Sequence, residues 1–282
     1  MARRKKAKKQ AQALGIELPR SQRTFERIKR ATVAMAVLHE KHPSRPFTIL
    51  GSGFCIHPRG VIVTCRHVAE AFFEKKFETY VSQLPAEKRE KEMQELQDVR
   101  SLIPYALFYV VRPERNEVMM LPAPVQIGMA KTDLDLGLLR VAIHAAFRAG
   151  YPTVEIEDFG RIHEGQNVAT CGFPLGSILQ QRMGTVTSSF TRGILSAIIP
   201  APGARESDVT AFQLDLRATH GNSGGPVFSI DNGRVLGVLQ GGIVDDYGSS
   251  LFSRAESVYR VLALNEVQRL IAAVNPLAGV GQ

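Results

Sequence analysis

Apolar residues along this chain come mostly in short runs broken by Gly, Pro, Asn and Asp. Gly51-Ser52-Gly53-Phe54-Cys55-Ile56, then Pro58-Arg59-Gly60, then Val61-Ile62-Val63-Thr64 reads as strand, turn, strand. Ala106–Val111, Leu136–Val141 and Asn167–Thr170 are further strand candidates. So is Arg234–Leu239, which follows an Asp231-Asn232-Gly233 turn. Helical spacing appears in three places. Ser21–Arg30 forms one short segment. Pro85–Arg100 is rich in helix formers, with Pro in the first turn and Met93, Leu96, Val99 and Leu102 along one face. Ala255–Val274 places Val258, Val261, Leu262, Val267, Leu270 and Ile271 to bury one face, which predicts a closing helix.

Three segments add chemistry to this pattern. Gly221-Asn222-Ser223-Gly224-Gly225-Pro226 brackets a serine with glycines. Such a turn exposes the hydroxyl and aims neighbouring N–H groups into one spot. Thr64-Cys65-Arg66-His67-Val68 puts a histidine at the end of a strand. Asp133-Leu134-Asp135-Leu136-Gly137 opens an apolar run with two acids, which share a face at a spacing of two. His67 and Asp135 are 68 residues apart, and Asp135 and Ser223 are 88 apart. Those gaps put the three groups on separate strands or loops. The order His, Asp, Ser excludes the arrangement of α/β-hydrolases, which runs Ser, acid, His.

These segments resemble trypsin-like serine peptidases, most closely the protease domain of the HtrA/Deg group. Gly51-Ser52-Gly53-Phe54, Gly172-Phe173-Pro174-Leu175-Gly176 and Arg192-Gly193-Ile194-Leu195-Ser196 fit that group in the right order. The resemblance covers roughly residues 31–270. It implies an all-β, chymotrypsin-like fold of two packed six-stranded antiparallel barrels. The first barrel spans 31–145 with a helical insertion at about 71–104. The second spans 160–254, and a C-terminal helix covers 255–274. Relatives of this kind usually carry a PDZ domain after the barrel, for which this chain leaves no room.

The resemblance also assigns roles. Ser223 is the expected nucleophile, His67 the general base and Asp135 its orienter, with Asp133 as a rival. Backbone N–H groups of Gly221 and Ser223 would form the oxyanion hole. Arg217 aligns with the floor of the specificity pocket, and Gln240, Gly241 and Gly242 with the strand that pairs with substrate. An inward Arg217 would favour an acidic P1 residue. An outward one, paired with Asp215, leaves a small or medium aliphatic preference, which is the expectation. Asn222 stands where zymogens carry an aspartate, so no N-terminal activation is expected. Control would come from loop ordering, homo-oligomerisation or the insertion, which is either a surface helix or a gate beside the cleft.

Charge changes the picture only once it is located. Residues 1–30 hold eleven Lys/Arg and two Glu, while the remaining 24 basic and 25 acidic residues nearly cancel. The expectation is a flexible basic tail over 1–30 with weak, non-specific polyanion contact. No aromatic interleaving or binding motif suggests a sequence-specific nucleic-acid reader. No apolar stretch approaches membrane-spanning length. Three cysteines, Cys55, Cys65 and Cys171, suggest free buried thiols and a reducing, cytoplasmic compartment. Organelle import is the alternative, since the first 16 residues lack acids. No cofactor is expected, and no metal, because the cysteines and histidines form no close cluster in sequence. The expected partners are polypeptide substrates. The rival to a serine endopeptidase is a catalytically silent fold kept for binding proteins or polyanions.

Overall fold

The computed structural model describes residues 20–38, 47–73, 103–112, 117–130, 135–174, 186–244 and 250–259. Helix α1 (Arg20–Ala31) leads directly into strand β1 (Thr32–Leu38). Then follow β2 (Phe47–His57), β3 (Val61–Thr64), helix α2 (Arg66–Phe73), β4 (Ile103–Arg112), β5 (Glu117–Ala130) and β6 (Gly137–Val141). They close into an antiparallel barrel in the order β1-β2-β3-β6-β5-β4. Short β7 (Glu155–Ile156) follows. Next come β8 (Asn167–Gly172), β9 (Ser189–Ile199), β10 (Ala211–Asp215), β11 (Pro226–Ser229), β12 (Arg234–Val244) and β13 (Ser250–Ser257). The run β11-β8-β9-β10-β13-β12 closes through β11–β12 pairing into a second six-stranded barrel. β7 adds to it in parallel beside β12.

Apolar alternation explains the closure. Val33, Met35, Phe54, Ile62, Phe108 and Leu139 are fully buried in one barrel, and Leu195, Phe212, Val227 and Leu236 in the other. Burying each large side chain contributes roughly 1.5–3 kcal/mol. The same core cluster that fills the first barrel continues through Ala169, Cys171, Phe228 and Val238, so the barrels share packing across their seam. Among the described residues, no helix is long and apolar enough to cross a membrane.

Two sequence boundaries change. The expected tail over 1–30 includes ten or so residues that are built into the fold. Ile28 on α1 is fully buried. Phe25 meets Phe190 and Phe228 edge-on, with centroids 4.7 and 5.8 Å apart. Arg27 pairs with Glu155 and donates to the Asn232 carbonyl at 2.8 Å. Lys29 sits 4.6 Å from the centre of the Tyr109 ring. Basic residues dominate this helix by count, but its apolar positions decide where it lies. The closing helix expected from Ala255 begins later. Ala255, Glu256 and Ser257 pair with β10 and β12, and helix starts at Val258. The rest of that segment, and the Pro85–Arg100 insertion, lie outside the described residues.

Shortening the chain to begin at Arg20 should leave the melting temperature nearly unchanged. Beginning at Thr32 should lower it sharply. Ile28→Ala in the full chain should cost about 2–5 kcal/mol, the usual range for a buried large-to-Ala change. Denaturant unfolding midpoints check both.

Candidate active site

β3 ends at Thr64, and α2 starts two residues later, so His67 sits in the first turn of a helix at the rim of the first barrel. Asp135 lies two residues before β6, the strand paired with β3. That pairing brings the two together. His67 Nδ1 lies 3.1 and 3.0 Å from the two Asp135 carboxylate oxygens, and the His67 backbone N–H donates to Oδ1 at 3.1 Å. With Nδ1 facing the carboxylate, Nε2 is the ring nitrogen left for other chemistry. Burial pushes the Asp135 carboxyl up, but the hydrogen bonds and charge of His67 outweigh it and hold the carboxyl below its ordinary value. Asp133, the rival acid, lies outside the described residues.

Ser223 lies in the loop between β10 and β11. Gly221 (φ 94°) and Gly224 (φ 87°) adopt left-handed backbone that side chains rarely tolerate. The loop's N–H groups divide into two sets. Asn222 N–H donates to Thr219 at 3.0 Å, Gly224 N–H to Leu239 at 2.7 Å and Gly225 N–H to Asn222 at 2.9 Å. Among the described residues, no acceptor meets the N–H of Gly221 or of Ser223. Those are the two donors expected to form an oxyanion hole. Ser223 Oγ donates to the Gln240 carbonyl at 2.7 Å, rather than to His67.

Ser52 on β2 holds this loop, a role that the sequence reading did not assign. Its N–H donates to Ser223 O at 2.8 Å. Its hydroxyl donates to Gly221 O at 2.6 Å and accepts from Phe173 N–H at 3.0 Å. Its carbonyl accepts from Thr64 Oγ1 at 2.7 Å. The available signal was a serine in an otherwise apolar buried strand.

The remaining expected residues divide. Arg217 is exposed, and among the described contacts it makes no ion pair with Asp215, contrary to the expected partnership. Gln240 was expected along the substrate strand. It lies on β12, and its side chain turns inward, with Nε2 3.4 Å from Asp135 Oδ2 and 3.0 Å from Glu256 Oε2. Gly241 faces open space, and Gly242 is exposed.

One cluster in space has no counterpart in the sequence spacing. Cys65, His67 and Asp135 bring three candidate metal-ligand atoms within 4.8 Å of one another, because β3 and β6 converge there. The donors are committed to each other and to the fold. The Cys65 thiol donates to Leu239 O at 3.2 Å, and burial, with Asp135 beside it, pushes its pKa well up. It is therefore a neutral thiol rather than a ready thiolate ligand. Burial likewise raises Cys55 to about 12 and Cys171 to about 11.

The family profile described as "Trypsin-like peptidase domain" matches residues 51–238. The chain belongs to that family. It is 29% identical over 192 residues to a probable periplasmic serine endoprotease DegP-like of Halomonas elongata, covering 67% of this chain and 28% of that one. It is 30% identical over 118 residues to the mitochondrial serine protease HTRA2 of Drosophila pseudoobscura pseudoobscura, covering 41% and 24%. These matches span about a quarter of the relatives' length. Among solved structures, the HtrA-type protease AlgW with decapeptide superposes with a TM-score of 0.56 at 17% identity, covering 90% of this chain and 68% of that one. Deg5 superposes at 0.54 with 20% identity, covering 86% and 90%. These likenesses support the two-barrel, chymotrypsin-like fold.

The Ser52 contacts generate a prediction. Ser52→Ala strands the part-buried Gly221 carbonyl and the buried Phe173 N–H, which should cost about 1–3 kcal/mol of stability. If Ser52 also positions the Gly221 peptide, kcat on a peptide or ester substrate should fall while KM changes little. A variant that is destabilised but keeps full kcat would assign Ser52 to folding alone.

Proposed function

We propose that this protein is a serine endopeptidase acting through His67, Asp135 and Ser223. The observation that carries the reading is the pairing of a held carboxylate–imidazole dyad with a nucleophile loop whose Gly221 and Ser223 N–H groups meet no acceptor among the described residues. In the reaction, Ser223 Oγ leaves the Gln240 carbonyl and turns to His67 Nε2. It attacks the scissile carbonyl carbon as Nε2 takes its proton. The two N–H groups receive the oxyanion. Collapse expels the amine, which takes the proton from Nε2, and leaves an acyl-Ser223 ester. Water, deprotonated by the same nitrogen, then releases the acid and restores Ser223. Asp135, ionised throughout, fixes the tautomer and stabilises the imidazolium.

Several finer features belong to this proposal. Asn222 is buried and neutral, so it offers no anchor for a freed N-terminal ammonium. P1 is a small or medium aliphatic residue, consistent with an exposed Arg217. The three unpaired, buried thiols support a reducing, cytoplasmic setting. The silent binding fold is the second reading. It draws on one observation, the Ser223 hydroxyl resting on Gln240. That bond is worth about 1 kcal/mol net, so a bound substrate readily displaces it.

A fluorophosphonate probe should add once, on Ser223. His67→Ala should slow labelling severely, and Ser223→Ala should abolish it. An activated ester should give a near-stoichiometric burst, the mark of an acyl-enzyme. Well-folded protein that neither labels nor turns over ester would decide for the silent fold.

The basic segment before Arg20 carries the polyanion contact in this proposal. Removing residues 1–19 should abolish retention on heparin, and retention by the full chain should fall steeply with salt. Binding that survives the removal would place the contact elsewhere.

A further inference from the structure

We propose that Arg254 is a specificity-determining residue that receives a carboxylate side chain of the substrate at a position other than P1. The inference rests on the peptidase reading above and deepens it toward acidic peptides.

The alternation of β13 separates two neighbours. Ser253 is fully buried, and its hydroxyl donates to Leu216 O at 2.7 Å. Leu216 adjoins Arg217 in the segment leading to the nucleophile, which is the side of the specificity pocket. Arg254, the next residue, faces the other way. It shares that face with Glu256, two positions on, and its Nη2 lies 3.9 Å from Glu256 Oε2. Glu256 in turn accepts from Gln240 Nε2 at 3.0 Å, and the same nitrogen reaches Asp135 at 3.4 Å. Ser223 Oγ sits on the Gln240 carbonyl. A chain of contacts therefore places Arg254 on the acid side of the site, away from the P1 pocket.

The surface there is open. The cross-strand partner of Arg254 on β12 is Gly241, and a side-chain carbon built on Gly241 would meet nothing within 4 Å. The two charges differ in what they present. The Glu256 side chain is 4% exposed and bound by Gln240, whereas the Arg254 side chain is 45% exposed. The 3.9 Å pair is too long for a good hydrogen bond. A guanidinium in that state keeps donors for a second carboxylate, which it can take in a two-pronged fashion. Peptide laid along Gln240–Gly242 passes beside it, so the group it meets is a Glu or Asp side chain near, but not at, the scissile residue.

The test uses matched fluorogenic peptides with Val at P1 and either Glu or Gln at P2, P3 or P4. They are turned over by wild type, Arg254→Ala, Arg254→Glu and Arg217→Ala. At one position, Glu should be preferred over Gln roughly tenfold in kcat/KM, a modest size because the guanidinium is half-exposed and screened. The ratio should shrink with salt, approach one in Arg254→Ala, invert in Arg254→Glu and persist in Arg217→Ala. Equal rates in wild type, or a Glu preference that survives Arg254→Ala, would overturn the proposal. If no peptide is cleaved, the peptidase reading fails instead. The same peptide pairs can then be bound to Ser223→Ala and followed by fluorescence anisotropy. A Glu-over-Gln affinity ratio that Arg254→Ala erases supports the site, and equal affinities reject it.

Discussion

Ser52 is buried where the two barrels meet, and its backbone and side chain make four hydrogen bonds to residues outside its own strand. Through them β2 is tied to the end of β3, to the residue after β8 and to both Gly221 and Ser223. Leaving any of these groups unpaired in so dry a place would cost on the order of 1–3 kcal/mol, so the relative position of the four segments is strongly specified. The consequences reach the chemistry. Thr64, which binds the Ser52 carbonyl, stands three residues before His67. Gly221, whose carbonyl Ser52 holds, supplies one of the two N–H groups that meet no acceptor among the described residues.

Electrostatics then works on a frame already set. Asp135 is part-buried, which by itself would favour its neutral form. The His67 ring and the His67 N–H reverse that preference, and Gln240 approaches from the other side. Gln240 serves several groups at once: its carbonyl receives Ser223 and its amide reaches two carboxylates. One residue of β12 thus touches Ser223, Asp135 and Glu256, the acid that faces Arg254.

Much of this was legible in the sequence, for identifiable reasons. Glycines around Ser223 advertised left-handed backbone, and Gly221 and Gly224 adopt it. The Asp231-Asn232-Gly233 turn announced β12, which starts at the next residue. The union of His67 with Asp135 followed from motif order and is made by β3–β6 pairing. What was not legible depends on non-local contacts. Nothing along the chain says that Gln240 turns toward Asp135, that Cys65 completes a close trio, or that Ser253 and Arg254 serve opposite faces. Ala255–Ser257 fitted a helical period, but pairing with β10 and β12 claimed them for a strand. In α1 the count of basic residues masked the spacing of Phe25 and Ile28, although that spacing was there to be read.

The central proposal is that the Ser223 hydroxyl turns from Gln240 to His67 and that the N–H groups of Gly221 and Ser223 receive the oxyanion. A crystal structure of the protein with a peptide aldehyde tests it most directly. The account predicts a hemiacetal on Ser223 Oγ, with its oxygen about 2.7–3.1 Å from the N–H groups of both Gly221 and Ser223. His67 would remain on Asp135, and the Gln240 carbonyl would be released. A noncovalent aldehyde, or an adduct whose oxygen faces solvent while Gly221 N–H points away, would contradict it.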